Sequence, residues 1–224
     1  MKITTDACAF GAFVANLLQE YAFHPAIVVD VGTGTGLLAL MLAQQLHPPF
    51  RILALEMDEA ACAQAQENFA ASPWQPHLQA IHADVRRWTC QQPAELIISN
   101  PPFFHGQLAS ANDKKALAFH DQALNLEELL CFANEHLAVA GWLAVLLPQQ
   151  RRQEFCHLAL RRGFHLLGEC QMYAHAHKQK PHVVAGIFSR QPTIPRRIKL
   201  VYRDEQGNET PLFRKWLSPY YLYL

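Results

Sequence analysis

Uninterrupted apolar runs alternate along this chain with stretches of helical period. Ala26-Ile27-Val28-Val29-Asp30, Arg51 to Glu56, Ala94 to Ser99 and Gly141 to Leu147 read as strands, and His77 to Ile81 as a shorter one. Runs this apolar mark strands buried on both faces, as in a parallel sheet. Between them, Asp6 to Tyr21 places Phe10, Phe13, Val14, Leu17 and Leu18 on one helical stripe, with Asp6 as N-cap. Further helices are expected from Leu37 to about Leu46, from Asp58 to Ala71 (capped by Asp58, stopped at Ser72-Pro73), from Leu126 to Leu137 and from Arg151 to Arg162. Gly163 to Cys170, Val183 to Ser189 and Ile198 to Arg203 read as strands that close the sheet, and Phe104 to about Leu124 as a long polar loop. The pattern predicts an α/β fold: a Rossmann-like sheet, mostly parallel with an antiparallel edge, and helices on both faces.

Composition narrows the class. The 224 residues are 50% hydrophobic, enough for one full core. One domain over 1–224 is expected, with an N-terminal helix to about residue 24, a core sheet over about 25–190 and a basic, aromatic appendage over about 191–224. No apolar run reaches membrane-spanning length, and Met1 to Asp6 lacks the character of a signal peptide. The six cysteines stand far apart without a Cys-x-x-Cys pair, which fits free thiols in a reducing cytoplasm; no metal site is expected. Net charge is zero but unevenly spread. Residues 1–140 hold 6 Lys+Arg against 14 Asp+Glu, and residues 141–224 hold 13 against 5. Such asymmetry suggests a polyanionic partner for the C-terminal part, where Lys178, Lys180, Arg190, Arg196, Arg197, Lys199 and Arg203 would meet phosphates.

The first strand runs into Val31-Gly32-Thr33-Gly34-Thr35-Gly36 and then a helix, the order of a mononucleotide-binding unit. A dinucleotide fingerprint would carry its third glycine at position 37, where this chain has Leu37. Asp30, two residues before Gly32, would repel a pyrophosphate but suits the amino group of a methionine moiety. S-adenosylmethionine is therefore the expected cofactor. Glu56 ends the second strand, in the position from which a carboxylate accepts ribose hydroxyls, with Met57 beside it. Asp84 could accept from an adenine amine while Val85 packs on the ring.

The fourth strand stops at Ser99-Asn100-Pro101-Pro102-Phe103. Neither proline donates a ladder hydrogen bond, and Pro101 holds Asn100 extended. The Asn100 side-chain oxygen and the Pro101 carbonyl form a pair of acceptors, and Phe103 offers a stacking face. An exocyclic amine on a planar ring needs that set, because two acceptors draw its delocalised lone pair toward tetrahedral geometry.

Asp30 with its three glycines, Glu56, Asp84 and Asn100-Pro101-Pro102-Phe103, in this order, resemble class I S-adenosylmethionine-dependent methyltransferases of exocyclic amines. Lys2 to Asp6, Gly36 to Gln44, Ala63 to Asn68, Ser72-Pro73-Trp74 and the tail Tyr220 to Leu224 are similar to the bacterial family that methylates adenine 37, beside the anticodon, in a valine tRNA. The resemblance implies Thr5 and Asp6 at the methionine end of the cofactor and Asn100, Pro101 and Phe103 around the target base. It implies a tRNA anticodon loop as partner, a cytoplasmic enzyme and a monomer, without membrane or metal. The chain departs from the family in lacking an N-terminal segment before Lys2, and in Phe119 and Val183 where the family commonly has arginine. Release-factor glutamine methylation, methylation of another rRNA or DNA amine, and RNA docking with little turnover stand as alternatives.

Overall fold

The computed structural model describes residues 4–101 and 124–222. Eight strands form one sheet in the order β3-β2-β1-β4-β5-β7-β6-β8. They are β1 (Ile27–Val31), β2 (Arg51–Glu56), β3 (Leu78–His82), β4 (Ala94–Ser99), β5 (Leu137–Pro148), β6 (His165–His175), β7 (Val183–Ser189) and β8 (Arg196–Arg203). β1 to β5 are parallel neighbours; β7 runs antiparallel to β5 and β6, and β8 adds outside β6 in parallel with it. The reversed pairing is thus confined to the C-terminal side of the sheet.

Six α-helices cover it among the described residues: α1 (Thr5–Glu20), α2 (Leu37–Ala43), α3 (Glu59–Ala70), α4 (Leu126–His136), α5 (Arg152–Arg161) and α6 (Pro211–Leu217). α1, α2, α3 and α6 share one core with residues such as Phe10, Phe13, Phe69 and Trp216. α4 and α5 close the other face around Leu130, Phe155 and Phe188. β4, with Leu96, Ile97 and Ile98 wholly buried, has a core on each face.

Local chemistry corrects several expected boundaries. The α1 cap is Thr4, whose hydroxyl accepts from the Ala7 amide at 3.2 Å; Asp6 lies inside the first turn. Asp6 cannot serve as cap because its side chain is drawn to Tyr202 and His182. α2 ends at Ala43, short of Leu46. β5 begins at Leu137, directly after α4, where Leu137 pairs with Ala94. β6 runs on past Cys170 because β7 and β8 both continue to pair with it, as at Met172–Val183 and His175–Arg203. α6 was not expected at all. Thr210 caps it, Pro211 opens it, and Phe213 packs on Tyr202 with ring centroids 5.0 Å apart.

The strand order reverses between β1 and β4, so the two chains leaving their carboxyl ends diverge and leave a crevice there. Open α/β sheets bind ligands at such a switch point. Gly32 follows β1 and Asn100 follows β4, so both flank it.

Candidate active site

The glycine turn is pinned onto the end of β2. The Gly32 and Thr33 amides donate to the Leu55 carbonyl at 2.9 and 3.0 Å, and the Asn68 side chain of α3 donates to the Thr35 carbonyl at 2.9 Å. Gly36 has φ +85°, and a Cβ there would be driven into the Phe69 ring. Packing of α3 therefore dictates the last glycine. Gly32, at φ +71°, has open space where a Cβ would stand, so a ligand can lie against its backbone. Gly34 also takes a positive φ, 59°.

Glu56 is bound from several sides. One oxygen accepts from the Gly34 amide at 2.8 Å; the other accepts from the Met57 and Asp58 amides at 2.9 and 3.0 Å. Its carboxylate is thereby fixed beside the turn with lone pairs still available. Met57 is 40% exposed next to it. Asp84 begins a turn just past β3, and Val85 packs on the core closed by α4 and α5. The Asp84 carboxylate takes a bidentate ion pair from Arg86, Nε to one oxygen and Nη2 to the other, each at 2.8 Å, which holds it below the usual carboxylate range. Arg86 also approaches the Met57 sulfur (3.8 Å) and Glu128 (3.9 Å).

Asp30 is wholly buried. The Thr33 hydroxyl donates to one oxygen at 2.6 Å, while the other has no partner within hydrogen-bond geometry among the described residues. Burial pushes the carboxyl up to about 7, against the opposing pull of Thr33 and of the Ala39 amide, with the nearby Glu56 charge adding to the rise. An orphaned, buried acceptor of this kind calls for a donor, and a cation would serve best. Asp6 lies elsewhere in the electrostatic scheme. Burial opposes its ionisation, but donors His182 and Tyr202, each at 2.8 Å, outweigh that and keep the carboxyl low. Thr5 is the first residue of α1 and exposed.

At the end of β4, Ser99 is buried and its hydroxyl donates to the Val31 carbonyl at 2.9 Å, tying β4 to β1 at the switch point. Asn100 is half-buried immediately beyond and Pro101 is buried. Phe103 and Phe119 lie outside the described residues. Val183 is buried at the start of β7, paired with Met172 and Pro148, so its side chain contributes to the core. Among the described residues, no three His, Cys, Asp or Glu side chains gather to hold a metal, and no helix is long and apolar enough to cross a membrane.

The family model for the methyltransferase small domain covers residues 11–180. A Proteus mirabilis protein named tRNA1(Val) (adenine(37)-N6)-methyltransferase is 33% identical over 100% of this chain and 88% of its own length. A Citrobacter koseri protein of the same name is 38% identical over 84% of this chain and 75% of its own. The chain belongs to this methyltransferase family.

Among solved structures, a protein described as a predicted O-methyltransferase from Agrobacterium tumefaciens superposes with TM-score 0.64, covering 95% of each chain at 14% identity, which matches the fold alone. Within this methyltransferase fold, sequence reading missed the residues that hold the site in shape. Thr33 lies three positions after Asp30, a spacing that could have flagged its hydroxyl. Arg86 lies two after Asp84 and could have been paired with it likewise. Ser99 and Asn68 carried no such signal, since their partners are 68 and 33 residues away.

Proposed function

We propose that this chain transfers the methyl group of S-adenosylmethionine to the exocyclic N6 of an adenine in tRNA, adenine 37 of a valine tRNA. The observation that carries this is the convergence of the orphaned Asp30 oxygen, the fixed Glu56 carboxylate and Asn100 at one switch point, in a chain whose relatives bear that name. The donor set fits the cofactor. Asp30 offers its free oxygen to the methionine ammonium, Gly32, Gly34 and Gly36 let the backbone approach, and the family resemblance assigns Thr5 and Asp6 to the methionine end. Glu56 accepts the ribose hydroxyls with its remaining lone pairs. Met57 and Val85 present apolar surface to the adenine ring, whose amine would share the Asp84 carboxylate with Arg86.

Bound there, S-adenosylmethionine supplies a methyl group on a positively charged sulfur. The Asn100 side-chain oxygen and the Pro101 carbonyl accept the two N6 hydrogens of the target adenine, and Phe103 stacks on its ring. Those acceptors strengthen as the nitrogen becomes tetrahedral, so they favour the transition state over the ground state. The methylated nitrogen is acidic until it loses a proton, which passes to solvent; no general base is needed. Adenine 37 lies in a loop, so turning it outward costs less than opening a duplex.

The test is incubation with labelled S-adenosylmethionine and valine tRNA, followed by nucleoside analysis. N6-methyladenosine at position 37 is expected. Label on guanine, or on protein glutamine and not on RNA, would overturn the reading.

A further inference from the structure

The pleat of β8 sorts the basic C-terminal residues onto two faces. Ile198, Leu200 and Tyr202 turn toward the core under α1 and α6. Arg196 shares their side and donates to Glu20 of α1 at 3.1 Å. Arg190 is engaged too, donating to the Asn134 carbonyl at 3.0 Å and lying over the Phe164 ring. Arg197, Lys199 and Arg203 instead point to the opposite face and are exposed.

That opposite face is firmly built. Lys199 stands 4.7 Å over the Tyr173 ring, Tyr173 donates to Gln171, and Gln171 donates to Glu169. Arg203 donates to the Gly207 carbonyl at 2.8 Å. Its acids are already engaged. Glu169 is 2% exposed and ion-paired with Arg152 at 2.5 Å, and Asp204 accepts the amides of Gln206 and Asn208 in the next turn. At the Arg197 end the face opens into a groove of about 360 Å³ between α5 and the segment before β8, lined in part by Arg152, His157 and His165. At the Arg203 end, His175 and His177 stack with centroids 5.3 Å apart.

We infer that this β6–β8 face, carried by Arg197, Lys199 and Arg203, binds the phosphate backbone of the RNA substrate. The inference rests on the tRNA reading above. Charge complementarity selects the occupant: three exposed cations, of which Lys199 and Arg203 are held by their neighbours, stand in a row on a face where Glu169 is ion-paired with Arg152. The row from Arg197 to Arg203 spans about 20 Å, at about 3.3 Å per residue. β8 runs in the same direction as β4, and the register carried from Ser99 through Val145, Gly186 and Glu169 reaches Arg197, so Arg197 stands level with the end of β4 that leads into Asn100, four strand spacings or about 19 Å away, and Lys199 and Arg203 lie further along. An RNA stem lying along the row can therefore present a loop base to Asn100. Arg196 and Arg190 belong to the protein's own packing and not to this surface.

The full chain with Arg197→Ala, Lys199→Ala and Arg203→Ala tests it. Across a salt series, the slope of log affinity for valine tRNA against log salt should fall by about 2–3, for three lost phosphate contacts. The KM for tRNA should rise roughly tenfold or more, with kcat at saturating RNA and S-adenosylhomocysteine affinity unchanged. Arg196→Ala should leave the slope as it is, and Arg197→Lys with Arg203→Lys should keep it. Should the triple variant not fold by circular dichroism, Lys199→Glu alone should still lower the slope by about 1 or more. A wild-type slope and KM in a folded variant, while wild type methylates tRNA, would overturn this surface and leave the catalytic reading standing. Wild type that neither binds nor methylates tRNA would overturn both.

Discussion

The Gly34 amide donates to the Glu56 carboxylate at 2.8 Å, so the turn after β1 is fastened to the tip of β2 before any ligand arrives. One side chain thus shapes the turn and remains an acceptor. Glu56→Ala removes the acceptor for three amides, those of Gly34, Met57 and Asp58. S-adenosylmethionine affinity should fall by about tenfold or more, with stability reduced by roughly 1–3 kcal/mol. Calorimetry and thermal melting read the two separately; unchanged affinity in a folded variant would remove Glu56 from the site.

Asp30 gives a pH signature. Its carboxyl is held near 7 in the folded protein against an ordinary 3.8. Between those values the native state keeps a proton that the unfolded chain has lost, so stability declines as pH rises through this window. Cofactor binding should run the other way. An ammonium beside the free oxygen favours the ionised form, so S-adenosylhomocysteine should bind about tenfold more tightly at pH 8 than at pH 6. Proton release on binding near pH 7, read by calorimetry in buffers of different ionisation enthalpy, checks the cause. Asp30→Asn should abolish both; a pH-independent affinity in wild type would disprove the contact.

Gly36→Ala should destabilise the fold by about 1–3 kcal/mol, because the new methyl meets Phe69 and the backbone stays at φ +85°. Adding Phe69→Leu relieves the collision but not the dihedral, so chemical denaturation of the double variant should show partial recovery of that loss. Full recovery would mean the positive φ carries no cost.

Asn100→Ala leaves the Pro101 carbonyl in place and removes one of two acceptors on the amine. The kcat should fall by about 10²–10³, with much smaller changes in the binding of cofactor and RNA. Asn100→Asp keeps the shape and an acceptor and should retain more activity than alanine. Phe103→Ala should chiefly raise the apparent KM for RNA, through lost stacking of roughly 1–3 kcal/mol. Wild-type turnover by Asn100→Ala would reduce the motif to a strand end.

What the sequence by itself determined was local. β4 is legible because six consecutive residues suit a doubly buried strand, and it ends at Ser99 because two prolines follow within three residues. The glycine turn is legible because positive φ at Gly32, Gly34 and Gly36 leaves few other residue types. The acids Glu56 and Asp84 are legible as strand-end positions. What only the tertiary structure decided is how these groups are engaged. Asp6 reads as a helix cap until Tyr202, 196 residues later, claims its carboxylate. The seven residues of α6 are too few for a periodic signal, and their helix is stabilised by Phe213 and Trp216 docking on Tyr202 and Phe13. Arg196 and Arg197 are equivalent in sequence, but the pleat sends one to Glu20 and the other to the open face. Side-chain direction in a sheet depends on register with strands far away in the chain, and that is fixed only when the sheet assembles.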